Sequence, residues 1–97
     1  MSYIFLPDAQ EELESAAATY YLVDERLGDR FDHAIEGMIE AIVANPTLWR
    51  ERPGRYRRVN CRRFPYYIAY VIRGQTIVIV AVAHSHRKPE YWKNRLS

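Results

Sequence analysis

The spacing of apolar residues divides the chain into a helical first half and a strand-rich second half. Residues 9–27 place apolar side chains three or four positions apart, which predicts a helix with one buried face. Gly28 is typical of the residue after a helix and Asp29 of an N-cap, so a second amphipathic helix is predicted to begin there. Asn45 and Pro46 end its pattern, and the two helices are expected to form a hairpin.

The segment before the first helix and one glycine of the second carry further expectations. Tyr3–Leu6 predicts a short strand, which Pro7 ends because proline cannot donate to a strand ladder. Asp8 is expected to cap the helix that follows. Gly37 costs about 1 kcal/mol relative to alanine inside a helix, so it is expected to mark a close approach of the first helix.

In the second half the apolar period changes to two, which indicates strands. Tyr56–Arg62 alternates loosely and predicts a half-exposed strand with a cationic outer face. Tyr66–Ile72 is rich in aromatic and β-branched residues, and Thr76–Ala83 is an almost unbroken apolar run. Between them, Gly74 and Gln75 suit a type II′ turn, so these two strands are expected to pair antiparallel.

These elements predict an α+β fold in the order β-α-α-β-β-β, with a helical hairpin packed on one face of a small, mostly antiparallel sheet. Residues 1–97 are expected to form a single domain, because a chain of 97 residues is too short to bury two cores. The last strand, apolar on both faces, is expected to be central in the sheet. No segment is an obvious cover for its second face, which is therefore predicted to be partly bare and available for binding.

Several classes of protein are excluded by the composition. No apolar run reaches the roughly 20 residues of a membrane helix, and no signal peptide is visible, so a cytoplasmic location is expected. The single cysteine, Cys61, cannot form an internal disulfide, and without three further converging ligands it cannot hold a structural zinc ion. No metal and no small-molecule cofactor are predicted.

The net charge of +2 conceals a strong asymmetry between the two halves of the chain. Residues 1–48 carry ten acidic and two basic side chains, whereas residues 49–97 carry twelve basic and two acidic ones. This distribution predicts a basic working surface in the second half, suited to phosphate or to an acidic protein partner.

Four features together resemble the RelE/ParE superfamily of toxins from bacterial type II toxin–antitoxin modules. They are the order of the elements, the arginine-rich second strand, the segment Phe64–Tyr70 and, above all, the ending His84–Trp92. The resemblance implies a small cytoplasmic toxin that a cognate antitoxin neutralises by wrapping it with a C-terminal segment. The charge asymmetry agrees, since such a segment needs a basic groove with apolar pockets.

The superfamily contains two activities, and the resemblance favours the one without chemistry. ParE-like members inhibit DNA gyrase by binding, and the tail of this chain, with its His, Arg, Pro and Trp, is closer to theirs. Tyr67 also stands where RelE-like nucleases carry an arginine. The residues predicted to contact the target or the antitoxin are Arg57, Arg58, Arg62, Arg63, Tyr67, Arg87, Tyr91 and Trp92.

The alternative is a RelE-like endonuclease that cuts mRNA on the ribosome. Cleavage needs a base for the 2′-hydroxyl, an acid for the leaving oxygen and cations for the phosphate. His84 and His86 can titrate near neutrality, whereas Tyr91 needs a strongly lowered pKa. Phosphate contacts would come from Arg62, Arg63 and Arg87. A plain RNA-binding module is less favoured, because neither a GXXG loop nor an RNP-type motif is present.

Most of these residues also have an ordinary structural role open to them. His84 can be a structural histidine that bonds the tail, His86 a surface residue, and Trp92 an anchor that pins the tail to the sheet. The arginines of the second strand can form a merely solvated face.

Overall fold

The computed structural model describes residues 1–96, and its elements follow the predicted order. The α+β fold is therefore confirmed. The elements are β1 (Ser2–Phe5), α1 (Pro7–Val23), α2 (Glu25–Ala44), β2 (Arg57–Asn60), β3 (Tyr66–Arg73), β4 (Thr76–His84) and a short 3₁₀ helix at Lys93–Leu96. No helix within this described range is long and apolar enough to cross a membrane.

The four strands form one sheet in the order β1-β4-β3-β2. β1 runs parallel to β4, whereas the other two pairs are antiparallel. Arg73 pairs with Thr76 across a two-residue turn in which Gly74, with φ of +61°, is the residue in the left-handed region. This geometry matches the predicted type II′ turn and its need for glycine at the first central position. β4 is central, as its apolar sequence predicted.

The junction between the helices lies earlier than the sequence predicted, at Asp24 rather than at Gly28 and Asp29. α1 ends at Val23, and Asp24 caps α2, since its Oδ1 accepts a hydrogen bond from the N–H of Arg26 at 2.8 Å. Gly28 therefore lies inside α2, where a Cβ atom would stand 2.3 Å from Cγ of Tyr21. Glycine is present there because the Tyr21 ring of α1 packs directly on the α2 backbone.

Two other local predictions were wrong. A Cβ on Gly37 would meet no atom within 4 Å, so the close approach of the helices occurs at Gly28 instead. Asp8 does not cap α1, because Leu6 occupies the N-cap position and Pro7 the first helical position. Asp8 lies one residue further on, where its negative charge still favours the helix N-terminus.

The face of the sheet that packs on the helices, called here the helix face, is built from large apolar side chains. Phe31 of α2 is fully buried, and its ring centroid lies 5.2 Å from that of Phe64 and 5.3 Å from that of Tyr66. Further along, the hydroxyl of Tyr70 donates to the carbonyl of Pro46 at 2.6 Å. The remaining buried members include Ala9, Ala16, Ile35, Ile39, Ile42, Val59, Ile68, Ile77, Ile79 and Val82.

The opposite face, called here the tail face, is not bare, which corrects the sequence-based prediction. Trp92 packs on it and is only 1% exposed, together with Tyr56 from the connector before β2. The sheet offers small side chains there, namely Ala69, Ala81 and Ala83, with Val71, Val78 and Val80. Small residues on the sheet leave room for these rings, so Trp92 from the tail and Tyr56 together supply the missing cover.

Candidate binding surface at the loop end of the sheet

The strand directions bring several of the predicted site residues to one end of the sheet. β2 ends, β3 begins and β4 ends at the same end, where Tyr66 pairs with His84. The N–H of Cys61 donates to the Tyr66 carbonyl at 2.9 Å, and the N–H of Ser85 donates to the Pro65 carbonyl at 2.7 Å. The β2–β3 loop and the segment after β4 are thus joined. We call this end of the sheet the loop end; its residues are Arg62, Arg63, His84, His86 and Arg87.

Arg62 and Arg63 are exposed in the loop, because β2 stops at Asn60 rather than at Arg62 as predicted. Within residues 1–96 neither side chain forms an ion pair or a hydrogen bond. They border a groove of about 580 Å³ between α2 and β2, called here the α2 groove. The rest of its lining mixes small and apolar side chains with polar and charged ones: Asp29, Arg30, His33, Ala34, Gly37, Met38, Ala41, Val59, Asn60 and Cys61.

Two arginines near the loop end rest on tyrosine rings. Cζ of Arg58 lies 3.7 Å from the ring centroid of Tyr67, and Cζ of Arg87 lies 3.7 Å from that of Tyr91. Each ring is itself fixed through its hydroxyl, since Trp92 Nε1 donates to the Tyr67 hydroxyl at 2.8 Å and Tyr91 donates to a carboxylate of α1. Stacking on an aromatic face orients a guanidinium and leaves its N–H edge free to bind an anion.

The carboxylate that receives Tyr91 belongs to Glu12, a residue that the sequence analysis did not single out. Its Oε1 accepts hydrogen bonds from the N–H of Val82 at 3.1 Å and from Nη1 of Arg95 at 2.9 Å. Its Oε2 accepts from the Tyr91 hydroxyl and from Nη2 of Arg95 at 3.0 Å. The Glu12 side chain is 15% exposed, so this carboxylate is largely removed from water and satisfied by donors.

These contacts raise the pKa of two groups in the tail. Burial raises the pKa of the Tyr91 hydroxyl above its usual range, and the hydrogen bond to Glu12 raises it further. The hydrogen bond to Glu12 likewise raises the pKa of the Arg95 guanidinium. Tyr91 is therefore held in its protonated form, which is the opposite of the lowered pKa that a nuclease role requires of it.

The two histidines lie side by side at the loop end. Nδ1 of His84 accepts a hydrogen bond from the backbone N–H of His86 at 3.1 Å, and the two ring centroids are 5.1 Å apart. The His84 ring also packs on Tyr66, with centroids 5.1 Å apart. His84 is half-buried and bonds the first turn of the tail, whereas His86 is exposed.

Three other predicted site residues lie elsewhere or inside. Arg57 lies at the opposite end of β2, where its Nη1 donates to the carbonyl of Trp49 at 2.6 Å. Tyr67 and Trp92 are buried, so neither can contact a partner directly. Tyr67 instead supports Arg58, whose guanidinium lies on its ring. The prediction that Trp92 anchors the tail is confirmed.

Glu12 and Arg95 were missed because nothing in the local sequence marks them. Glu12 belongs to a run of acids that is explained equally well by the helix dipole, and its partner Arg95 is 83 positions away. The described residues 1–96 contain no group of three or more His, Cys, Asp or Glu side chains placed to hold a metal ion.

The comparisons with known proteins identify the family of this fold. A family model described as the ParE toxin of the type II toxin–antitoxin system parDE matches residues 3–89. The chain belongs to the ParE toxin family. The resemblance to the RelE/ParE superfamily is thereby confirmed, and this ParE-family chain is the toxin of a type II module with a cognate antitoxin as its partner.

A solved structure of the chromosomal ParDE system from P. aeruginosa is similar to this ParE-family chain in fold. The two share 22% sequence identity, and the match covers 87% of this chain and 95% of that one with a TM-score of 0.70. Among curated proteins, no sequence matches significantly. The likeness extends over nearly all of both chains, so the arrangement of helices and sheet is common to them.

Proposed function

We propose that this toxin inhibits DNA gyrase by binding it through the loop end, without chemistry, in the cytoplasm. Membership of the ParE family supports the target, because gyrase inhibition is the activity that the resemblance implies for ParE-like members. The observation that carries the binding surface is the pair of arginines on tyrosine rings. Arg87 is 57% exposed and lies 4.0 Å from the nearest Glu12 oxygen, so most of its N–H edge faces solvent.

The second arginine of the pair supports the same proposal. Nε of Arg58 donates to Oδ1 of Asn60 at 2.9 Å, and its two Nη groups have no partner in the described part of the chain. Arg62 and Arg63 add two guanidiniums at the loop end, and within residues 1–96 neither has a hydrogen bond or an ion pair. Four arginines without strong internal partners would bind carboxylates or phosphates of a large target far better than any small neutral ligand.

Several observations favour binding over mRNA cleavage. Arginines stay protonated and cannot act as the base that removes the 2′-hydroxyl proton. Tyr91 is kept protonated by burial and by Glu12, and Nδ1 of His84 is occupied by the tail backbone. The His86 ring packs on that of His84, and within residues 1–96 neither histidine forms an ion pair with an acidic side chain.

We further propose that the antitoxin covers the α2 groove. The groove combines an apolar floor with the exposed side chains of Arg62 and Arg63, and the proposed occupant is a segment with apolar residues on one face and acidic residues beside them. Such a segment would neutralise two of the loop-end arginines directly. Neutralisation then needs no change in the fold of the toxin.

The activity is tested with purified, folded toxin in two assays. In a supercoiling assay with DNA gyrase and relaxed plasmid, we expect the toxin to block supercoiling and the antitoxin to restore it. Primer extension on mRNA from induced cells should show no new 5′ ends at codons occupied by ribosomes. Unimpaired supercoiling at a large molar excess of toxin would reject the gyrase target, and new 5′ ends would favour the endonuclease.

A further inference from the structure

Glu12 lies beside the part of β4 that has no partner strand on its β1 side. β1 pairs with β4 only as far as Ile79, so the next residues of β4 have an open edge on that side. On this edge the N–H of Val82 donates to Glu12 at 3.1 Å, and the carbonyl of Val80 accepts from Nη1 of Arg95 at 3.1 Å. A carboxylate from α1 and a guanidinium from the tail thus replace the missing strand.

The same carboxylate also fixes the platform on which Arg87 rests. Tyr91 donates its hydroxyl to Oε2 of Glu12, and the Arg87 guanidinium lies on the face of the Tyr91 ring. Cζ of Arg95 lies 5.5 Å from the centroid of that ring, so both arginines surround it. Arg87 is exposed, and besides this ring its nearest partner is Glu12 itself, whose Oε2 lies 4.0 Å from Nη1 of Arg87. The orientation of Arg87 therefore depends on the ring and on the carboxylate that holds the ring.

We infer that Glu12 is a positioning residue that presents Arg87 to the target by fixing the Tyr91 ring and the Arg95 guanidinium on the open edge of β4. The part of this inference that concerns gyrase rests on the proposed function. Only a carboxylate suits the position, because all of its partners are donors: a backbone N–H, a phenol and two N–H groups of one guanidinium. A carboxamide would turn its own N–H₂ group toward one of these donors.

The direct test compares Glu12→Gln with Glu11→Gln. Glu11 is the neighbouring acid on α1, exposed and without a hydrogen bond or ion pair in the described range, so it controls for the loss of one negative charge. We expect Glu12→Gln to raise the toxin concentration needed for half-inhibition of gyrase by about tenfold, because a carboxamide leaves one of the partly buried donors unpaired and the Tyr91 ring under Arg87 is no longer fixed. Glu11→Gln should leave that concentration within about twofold.

A double variant shows whether Glu12 acts through Arg87. If it does, Glu12→Gln has little further effect once Arg87→Ala is present, because the group that it positions is gone. If the double variant loses inhibition by the product of the two single fold-losses, Glu12 does not act through Arg87 and the inference is overturned. Tyr91→Phe is the second variant, since it keeps the ring and removes the hydroxyl that donates to Glu12. It should stay folded and, like Glu12→Gln, inhibit gyrase less strongly than the unmodified toxin.

A readout independent of gyrase keeps the inference separate from the proposed function. In ¹⁵N NMR spectra, the Nε–Hε groups of Arg87 and Arg95 should be ordered in the unmodified toxin and in Glu11→Gln. In Glu12→Gln and Tyr91→Phe we expect Arg87 to become mobile. Equal mobility of Arg87 in all four proteins would refute the positioning role even if gyrase is inhibited, whereas an ordered Arg87 in a toxin that does not inhibit gyrase would refute only the target.

Discussion

The two faces of the sheet are held together in different ways, although both are buried. The helix face is covered by two helices whose many large apolar side chains share the burial, with Phe31 at the centre. The tail face is covered mainly by Trp92 and Tyr56, with a few polar bonds that include those of Glu12 and Tyr67. Many side chains therefore share the stabilisation of the helix face, whereas a few contacts stabilise the tail face. Two of the proposed binding arginines, Arg58 and Arg87, rest on tyrosines of the tail face.

The largest loss of stability is expected from the helix face. Phe31→Ala should lower the free energy of unfolding by about 3–5 kcal/mol, because Phe31 is fully buried and touches the rings of Tyr20, Phe64 and Tyr66. Urea denaturation followed by circular dichroism measures this. A loss below about 1 kcal/mol would mean that the face is loosely packed.

A smaller but more localised loss is expected from the tail face. Trp92→Phe removes the N–H that bonds the Tyr67 hydroxyl and leaves a small void, so we expect a loss of about 2 kcal/mol. Tyr67→Phe removes only the hydroxyl and serves as the matched control, with an expected loss of about 1 kcal/mol. If both variants unfold at the urea concentration of the unmodified toxin, the tail is not an integral part of the fold.

This contrast also separates what the sequence could predict from what it could not. The helix face follows from periodicity, since residues such as Phe31 and Ile35 recur at helical spacing. The cover of the tail face depends on Trp92 meeting Tyr67 and on Tyr91 meeting Glu12, which are 25 and 79 positions apart. No local pattern carries such pairings. The exit of Arg62 from β2 into the loop was missed because strand ends depend on the partner strand.

One glycine of α2, Gly37, is a position where a substitution should stabilise the fold. Gly37→Ala should stabilise the free toxin by about 0.5–1 kcal/mol, since a Cβ meets nothing within 4 Å there and alanine is the better helix former. The same methyl group intrudes into the α2 groove, so antitoxin binding measured by calorimetry should weaken. Gly28→Ala is the control within the same helix, and it should destabilise because its Cβ would clash with Tyr21. If Gly37→Ala binds the antitoxin as tightly as the unmodified toxin does, the antitoxin does not occupy the α2 groove.

The smallest expected effect is a loss of folding stability at alkaline pH. Burial raises the pKa of Tyr70 on the helix face to about 12, and burial together with Glu12 raises that of Tyr91 on the tail face, from a usual value of 10.0. Well below pH 10 both tyrosines are protonated in the folded and unfolded chains, so they do not alter stability. Above pH 10 the unfolded chain releases these protons first, and stability should fall as pH rises toward 12.

Urea denaturation repeated between pH 8 and pH 11 measures this decline, with absorbance at 295 nm reporting ionisation of the phenols. Tyr91→Phe should make the decline shallower, because one of the tyrosines with a raised pKa is removed. An unchanged slope in Tyr91→Phe would show that the Tyr91 hydroxyl titrates alike in both states.

The claim that the tail face displays arginines for binding, separately from its role in stability, is tested most directly by one variant. Arg58→Ala combined with Arg87→Ala removes the two guanidiniums that rest on Tyr67 and Tyr91, and both side chains lie outside the buried core. Inhibition of gyrase supercoiling by this double variant should fall at least about tenfold, while its melting temperature changes by only a few degrees. Full inhibition by the folded double variant would contradict the account.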